Sequence, residues 1–396
     1  MFGLAEVGVP MFEKHLKKLE DQHLLRRLQT IASATGPTVT LDGRDIILLS
    51  SNNYLGLATH PTVVDAAIEA TRRYGAGSGA ARLVCGTLTP HEVLEHTLAR
   101  FKGTEAALAF TAGYLANISV IPALIGKDGL IFADRLCHAS LIDGCRLSGA
   151  TFRVFHHRDM NHLEQLLARR PAAKRTLIVT DGLFSMDGDI APMKEIAQLA
   201  EQYDAAVYVD DAHGTGILGR TGRGTLEHCE VESRVPYHMG TLSKAVGSAG
   251  GYVVGSATFI AYVVNTCRAF IYTTAPPPAS AAAATTAIQI IEQEPQRRAR
   301  LWQNRERLAQ GFTRLGFRLA ASESPILPVI VGDADRAMKF AQTLLAQGVY
   351  APAIRPPTVP PDTSRIRFTI TADHTDEQID RALAAVERVG RSLALI

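Results

Sequence analysis

The sequence predicts an α/β protein with a large domain built on a mostly parallel sheet and a smaller C-terminal α+β domain. Short apolar strands alternate with amphipathic helices from about residue 51 to 290, the pattern of a parallel sheet covered on both faces. Past a strongly charged helix around Glu292 to Arg307, the order changes to strand, helix, strand, strand, helix. At 396 residues the chain is also longer than one ordinary domain, so it is expected to divide. The division read here is an N-terminal arm over residues 1–50, a large domain over 51–290 and a small domain over 291–396.

In the arm, residues 12–30 carry the spacing of an amphipathic helix, Gly36-Pro37 breaks it, and Thr38 to Leu49 reads as two short strands around an Asp42-Gly43 turn. The large domain's clearest unit is a βαβ step. It runs from Thr176–Thr180 through a helix with Met193, Ile196, Ala197 and Ala200 on one face to Ala205–Val209. In the small domain the expected elements are Ile326 to Val331, a helix capped by Asp333, a strand from Gly348 to Ile354, Ser364 to Ile370, and a final helix. That helix opens with Thr375 and Gln378 at capping-box spacing.

Composition narrows the function. Hydrophobic residues make up 46% and charged residues 20%, with a formal net charge of +2 and both signs interspersed. A nucleic-acid partner is not expected, because no basic face stands out to neutralise phosphates. The Ala-rich run Ala279 to Ile291 is shorter than the ~18 apolar residues of a membrane span and follows prolines, so it reads as a helix start and no membrane is expected. The 5 cysteines form neither a CxxC pair nor a disulfide framework, and no apolar leader opens the chain; a reducing cytoplasm fits, and no metal site is expected.

Polar residues with chemical potential fall just after the predicted strands, where open α/β sheets bind ligands. After Ala106 to Phe110 comes Thr111-Ala-Gly113-Tyr114, a helix start whose free N–H groups suit a phosphate. His138 follows Leu130 to Ala133, Asp210, Asp211 and His213 follow Val209, and Thr241-Leu-Ser243-Lys244 follows Tyr237 to Gly240. A lysine among small residues, near a carboxylate and histidines, is what covalent capture of a carbonyl cofactor requires: an amine whose pKa can be lowered beside room for a flat ring. Adjacent strand residues point to opposite sides, so only one of Asp210 and Asp211 should meet that ring, and the other should anchor a loop. Gly75, Gly77 and Gly79 lack the preceding strand and following acid of a dinucleotide fingerprint and read as a tight loop. Taken singly, Lys244 reads as a solvated lysine and His138 as a packing histidine.

Taken together, five motifs change those odds. Asp210-Asp-Ala-His-Gly-Thr-Gly216, Thr241-Leu-Ser-Lys244, Ser185-Met-Asp-Gly-Asp189, Ser51-Asn-Asn-Tyr-Leu-Gly-Leu57 and Gly77-Ser-Gly79 occur in order at compatible spacing. Over about residues 40–385 the chain resembles the α-oxoamine synthases, which are fold type I, aspartate aminotransferase-like transferases dependent on pyridoxal 5′-phosphate (PLP). The resemblance implies that Lys244 anchors PLP and later carries protons, and that His138 stacks on its ring. It also implies that Asp210 pairs with the ring nitrogen and His213 bonds the phenolic oxygen. Ser185 and Thr241, with the backbone at Gly113 and Tyr114, would bind the phosphate or ring oxygen. Arg26, Asn52, His138, Arg355 and Thr358 would face the substrates. Arg27 stands as the exchange partner of Arg26, and Asp181 and Asn53 depart from residues frequent in the family, so they receive no role.

Within the family, Ala353-Ile-Arg-Pro-Pro-Thr-Val-Pro360 and Arg365-Ile-Arg-Phe-Thr-Ile-Thr371 resemble the branch that condenses L-alanine with a pimeloyl thioester, carried by coenzyme A or an acyl carrier protein. Arg82-Leu-Val-Cys-Gly-Thr87 also resembles the branch using glycine and acetyl-CoA, which is the alternative. Arg355, flanked by Pro356, has a planar fork suited to a carboxylate, against the plainer reading of a loop arginine. A homodimer is expected, with Phe270 to Thr274 delivering Thr273 or Thr274 to a neighbour's phosphate; a core strand is the plainer reading. A non-catalytic protein of the same fold is disfavoured by the complete lysine, aspartate and histidine set.

Overall fold

The structure, a computed structural model, describes residues 9–21, 24–26, 28–171 and 175–396. The arm opens with the helix Val9–Asp21. It stops well short of residue 30: Leu24 and Leu25 both donate to the Leu19 carbonyl, at 2.7 and 3.1 Å, and close the last turn. Leu28 is fully exposed, so the apolar spacing beyond that point has no surface to bury. Strands β1 (Thr38–Leu41) and β2 (Arg44–Leu48) form the expected hairpin. Asp42 and Gly43 both have positive φ, 49° and 73°, as a two-residue turn matched to strand twist requires.

The large sheet is built from β3 (Ala106–Phe110), β4 (Leu130–Asp134), β5 (Thr151–Phe155), β6 (Thr176–Asp181), β7 (Ala206–Asp210), β8 (Tyr237–Thr241) and β9 (Gly251–Gly255). Its order is β3-β9-β8-β7-β6-β4-β5, with β9 antiparallel to both neighbours and the other pairings parallel. Successive residues feed opposite layers. Ile131, Val179 and Tyr208 pack into one, and Phe132, Ile178 and Val207 into the other. Each such side chain, fully buried, contributes about 1.5–3 kcal/mol, which is why these strands read as unbroken apolar runs. Because β4, β6, β7 and β8 are parallel, Asp134, Asp181, Asp210 and Thr241 all end on the same edge of the sheet.

Helix Pro278–Gln293 leads to the charged helix Pro295–Arg314. The two meet at Glu294, whose φ of −117° and ψ of 64° are non-helical, as a residue before proline prefers. The C-terminal domain carries β10 (Ile326–Gly332), β11 (Val349–Tyr350), β12 (Ala353–Ile354) and β13 (Ser364–Thr369), with the sheet order β10-β13-β12. The single strand expected over 348–354 is two. β11 pairs with β2 of the arm and β12 with β13. Pro352 divides them, since it has no N–H for a ladder and only its carbonyl bonds, to Arg367 N at 3.1 Å. Both predicted caps form: Asp333 accepts from Arg336 N at 2.8 Å, and Thr375 and Gln378 bond reciprocally at 2.9 and 3.2 Å.

Candidate active site

The site is built where the parallel strands end. Helix Gly113–Leu124 starts beside β9 and β8, and a Cβ at Gly251 would lie 2.6 Å from Gly113 N, so only glycine allows this approach. Thr241 Oγ1 donates to Gly250 O at 2.9 Å and lies 2.8 Å from Ser243 Oγ. Gly113 faces Thr241 directly. Hydroxyls thus gather at a helix N-terminus, where unpaired N–H groups and the helix dipole favour an anion. Tyr114 lies in the first turn of this helix, with its ring exposed and its hydroxyl bonded to Asp143.

Lys244 follows on the same loop. Burial holds its ammonium below the usual lysine range, although Asp210 and Asp181 pull the other way; Arg367 adds to the lowering. That is the state of an amine poised to act as a nucleophile and base. Asp210 Oδ1 accepts from Ala212 N at 2.9 Å and Oδ2 from Asn117 Nδ2 at 2.7 Å. Asp211 has a different environment: Lys102 Nζ at 3.2 Å, Thr215 Oγ1 at 3.1 Å and Thr225 N at 3.0 Å. The two neighbouring aspartates are therefore divided as strand alternation requires, one toward Lys244 and one anchoring the 215–225 loop. Asp181 lies beside Asp210 across the β6–β7 pairing and accepts from His138 N at 2.8 Å. Burial first, then the charge of Asp210, push its carboxyl well above the usual range.

His138 caps helix Ala139–Leu147, with Nδ1 2.7 Å from Ser140 Oγ. Burial lowers its pKa, outweighing the nearby Asp210. His213 Nδ1 lies 2.7 Å from Tyr54 OH, and burial, then the positive charges of Lys244 and Arg367, keep this imidazole neutral. Arg367 completes this side. Its guanidinium donates to Ser185 O at 2.6 Å and to Asn52 Oδ1 at 3.2 Å, so β13 carries a buried cation whose charge reaches both Lys244 and His213. Lys244, Asp210, His138, His213, Thr241, Gly113, Ser185 and Asn52 are thus brought together.

Other expected residues lie farther out. Arg355 Nη2 donates to Leu25 O at 3.4 Å, and burial and the Arg26 charge both lower its pKa. Arg26 and Thr358 are exposed, with Thr358 N donating to Arg355 O at 3.1 Å; Arg27 lies outside the described residues. Thr274 bridges to Ala81, and Ala275 N donates to Ala80 O at 3.0 Å, so this segment is neither a core strand nor part of the Lys244 cluster within one chain. Asn53 accepts from Ala58 N at 3.2 Å and holds its own turn. A cavity of about 1040 Å³ lined by Gly219, Arg220, Arg223, Glu227 and Trp302 contains none of these residues. Within it Arg223 pairs with Glu232 at 3.4 Å.

A second layer holds the loops. His157 lies with Nδ1 2.9 Å from Asp134 and Nε2 2.8 Å from Asp189, joining the β4 end, which leads to His138, to the 185–189 loop. Burial opposes the imidazolium, but hydrogen bonds with both carboxylates outweigh it and raise the pKa from 6.5 to about 9. The folded value lies above the unfolded one, so this stabilisation is complete below about pH 6.5 and is lost as pH rises through about 9. Urea midpoints should fall across that window by the equivalent of roughly 1–3 kcal/mol, and His157→Gln should flatten the fall. Parallel curves for the two proteins would refute this strut.

The donor set fits PLP. A lysine of lowered pKa, a buried carboxylate with unused lone pairs, a capping histidine and an anion-binding helix end meet each part of the cofactor. Asn117, Arg367 and Tyr54 were not singled out from sequence. For Asn117 one signal existed: a polar, helix-indifferent residue within the otherwise apolar turn Leu115-Ala-Asn117-Ile118.

Known proteins agree with this geometry. The aminotransferase class I and II family model matches residues 44–386. An 8-amino-7-oxononanoate synthase from Geobacter sulfurreducens is 49% identical over 383 residues, covering 96% of this chain and 98% of the relative. A serine palmitoyltransferase from S. paucimobilis, solved with PLP and myriocin bound, matches with a TM-score of 0.94 at 34% identity across 100% of both chains. An 8-amino-7-oxononanoate synthase from Francisella tularensis gives a TM-score of 0.76 at 28% identity, covering 89% of this chain and 99% of that one. The shared shape shows the fold type I PLP-transferase architecture. With near-complete coverage at 49% identity, the chain belongs to the aminotransferase class I and II family, among its 8-amino-7-oxononanoate synthases.

Proposed function

We propose that the protein joins L-alanine to a pimeloyl thioester, releasing carbon dioxide and the free thiol carrier and giving 8-amino-7-oxononanoate, a step of biotin formation. The observation that carries this reading is Lys244, of lowered pKa beside Asp210, in a chain 49% identical to a relative of that name. PLP, when bound, supplies an electron sink that stabilises negative charge developing at the amino acid's Cα.

The residues have separate tasks. Lys244 holds the cofactor, then takes the Cα proton and later returns one. Asp210 would keep the ring nitrogen protonated, His138 would stack on the ring, and His213 would bond the phenolic oxygen. Gly113, Tyr114, Ser185 and Thr241 would hold phosphate or ring oxygen, joined by Thr273 or Thr274 of a neighbouring subunit. Arg26, Asn52, His138, Arg355 and Thr358 face the substrates. The division into an arm (1–50), a large domain (51–290) and a small domain (291–396) belongs to the same reading.

The test pairs each amino acid with each thioester and follows thiol release. L-alanine with pimeloyl-CoA or a pimeloyl acyl carrier protein should turn over faster than glycine with acetyl-CoA; the reverse order would end the biotin-pathway reading. Arg355→Lys keeps the charge but loses the fork, so alanine KM should rise about tenfold with PLP still attached. A second reading has its own support: Arg367, not Arg355, is the guanidinium whose charge reaches Lys244 and His213. If Arg355→Lys leaves alanine binding unchanged while Arg367→Lys weakens it, the carboxylate site moves to Arg367.

A homodimer and a cytoplasmic location belong to the same proposal. Leu83, Val84 and Tyr272 are 54%, 78% and 72% exposed around the segment carrying Thr273 and Thr274, which supports a second copy there. Sedimentation showing a fully active monomer would refute the dimer. All five cysteines are unpaired, which suits a reducing compartment.

A further inference from the structure

Asp210 and His138 act on the same ring only if both stand at fixed positions, and one buried side chain touches the support of each. Asn117 lies in the second turn of helix Gly113–Leu124 and is 1% exposed. Both of its N–H protons and its oxygen are bonded. Nδ2 donates to Asp210 Oδ2 at 2.7 Å and to Ser140 Oγ at 2.9 Å, while Oδ1 accepts from Tyr208 OH at 3.0 Å. Turning the amide round would set Oδ1 against a carboxylate that can only accept, so the orientation is determined.

The direction of the next bonds follows. The backbone N–H of Ser140 donates to His138 Nδ1 at 3.3 Å, so Nδ1 carries a lone pair. Ser140 Oγ, 2.7 Å from the same nitrogen, therefore donates its proton there and accepts from Asn117. The imidazole proton is left on Nε2. Tyr208, Asn117 and Ser140 each donate along the series, with Asp210 as the branch and His138 Nδ1 as the last acceptor; Tyr208, Asn117, Ser140 and Asp210 are buried groups for which a missing partner is costly.

We propose that Asn117 is a positioning residue which, through this directed chain, fixes the carboxylate of Asp210 and the Nε2–H tautomer of His138 together. The proposal rests on the reading of the pocket as a PLP site. Its logic is separable by variant: Asn117→Ala cuts both branches, whereas Ser140→Ala cuts only the branch to His138.

The experiment measures PLP dissociation by equilibrium dialysis and histidine tautomers by 15N NMR, in protein with labelled histidine. Comparison with His138→Gln identifies the resonance. Asn117→Ala should weaken PLP binding about tenfold or more, the size of a lost hydrogen bond to a charged group, and shift part of His138 to the Nδ1–H tautomer, because Ser140 Oγ is then free to accept and only the long 3.3 Å bond from Ser140 N still holds Nδ1 as an acceptor. Ser140→Ala, which keeps only the 3.3 Å backbone bond to Nδ1, should produce the same partial shift while PLP affinity stays within about twofold. Unchanged affinity with a single His138 tautomer in Asn117→Ala would overturn the proposal. Should that variant not fold, a single unchanged tautomer in Ser140→Ala overturns it alone. If the parent protein binds no PLP, the reading of the pocket fails, while the tautomers of the cofactor-free protein still decide whether the chain exists.

Discussion

Lys244→Ala is expected to fold, to bind PLP without a covalent link, and to lose turnover by at least about three orders of magnitude, since one side chain supplies both attachment and proton transfer. Folding should survive because the substitution removes a cost. Burial already holds the ammonium below its usual range, so the native protein gives up solvation to place it there. A methyl group in its place leaves Thr241, Ser243 and the helix end at Gly113 with their own bonds intact. Borohydride reduction followed by peptide mapping should mark Lys244 in the parent and nothing in the variant. A label on another lysine, or turnover within tenfold of the parent, would move the chemistry elsewhere.

Much of the site was legible in sequence because strand ends announce themselves. Leu130–Ala133 is apolar on both faces and Tyr237–Gly240 is a buried strand, so the polar stretches that follow them, carrying His138 and Lys244, fall on the ligand-binding edge. The assignment of Asp210 and Asp211 to opposite sides was equally available, since it needs only the period of a strand. What could not be read was long-range pairing. Arg367 bonds Ser185 O and Arg365 bonds Asp187 at 2.5 Å, partners some 180 residues earlier in the chain that no local pattern connects. The end of the first helix at Asp21 and the division at Pro352 also depended on what the chain met in space. Leu28 found no partner surface, and the segment around Pro352 found two different sheets.

Asp210→Asn should leave PLP attached at Lys244 while exchange of alanine's Cα proton slows by at least about 100-fold. The covalent link at Lys244 and the helix end at Gly113 do not depend on the charge of this carboxylate, so PLP should stay attached even where its affinity falls. An amide cannot stabilise the positive charge on the ring nitrogen, and without that charge the ring accepts electrons poorly. The hydrogen bonds make matters worse. Ala212 N and Asn117 Nδ2 both donate to Asp210, so an amide must point its own N–H at one of them or displace it. Asp211 cannot take over, because Lys102, Thr215 and Thr225 already occupy it. Asp181 is the remaining carboxyl, and burial together with the Asp210 charge raises its pKa well above the usual range, which favours its protonated form. Removing the Asp210 charge takes away part of that opposition, so a residual exchange rate should depend on Asp181. Deuterium exchange followed by NMR measures this directly. Exchange as fast as the parent in Asp210→Asn, lost only when Asp181 is also replaced by asparagine, would transfer the role to Asp181.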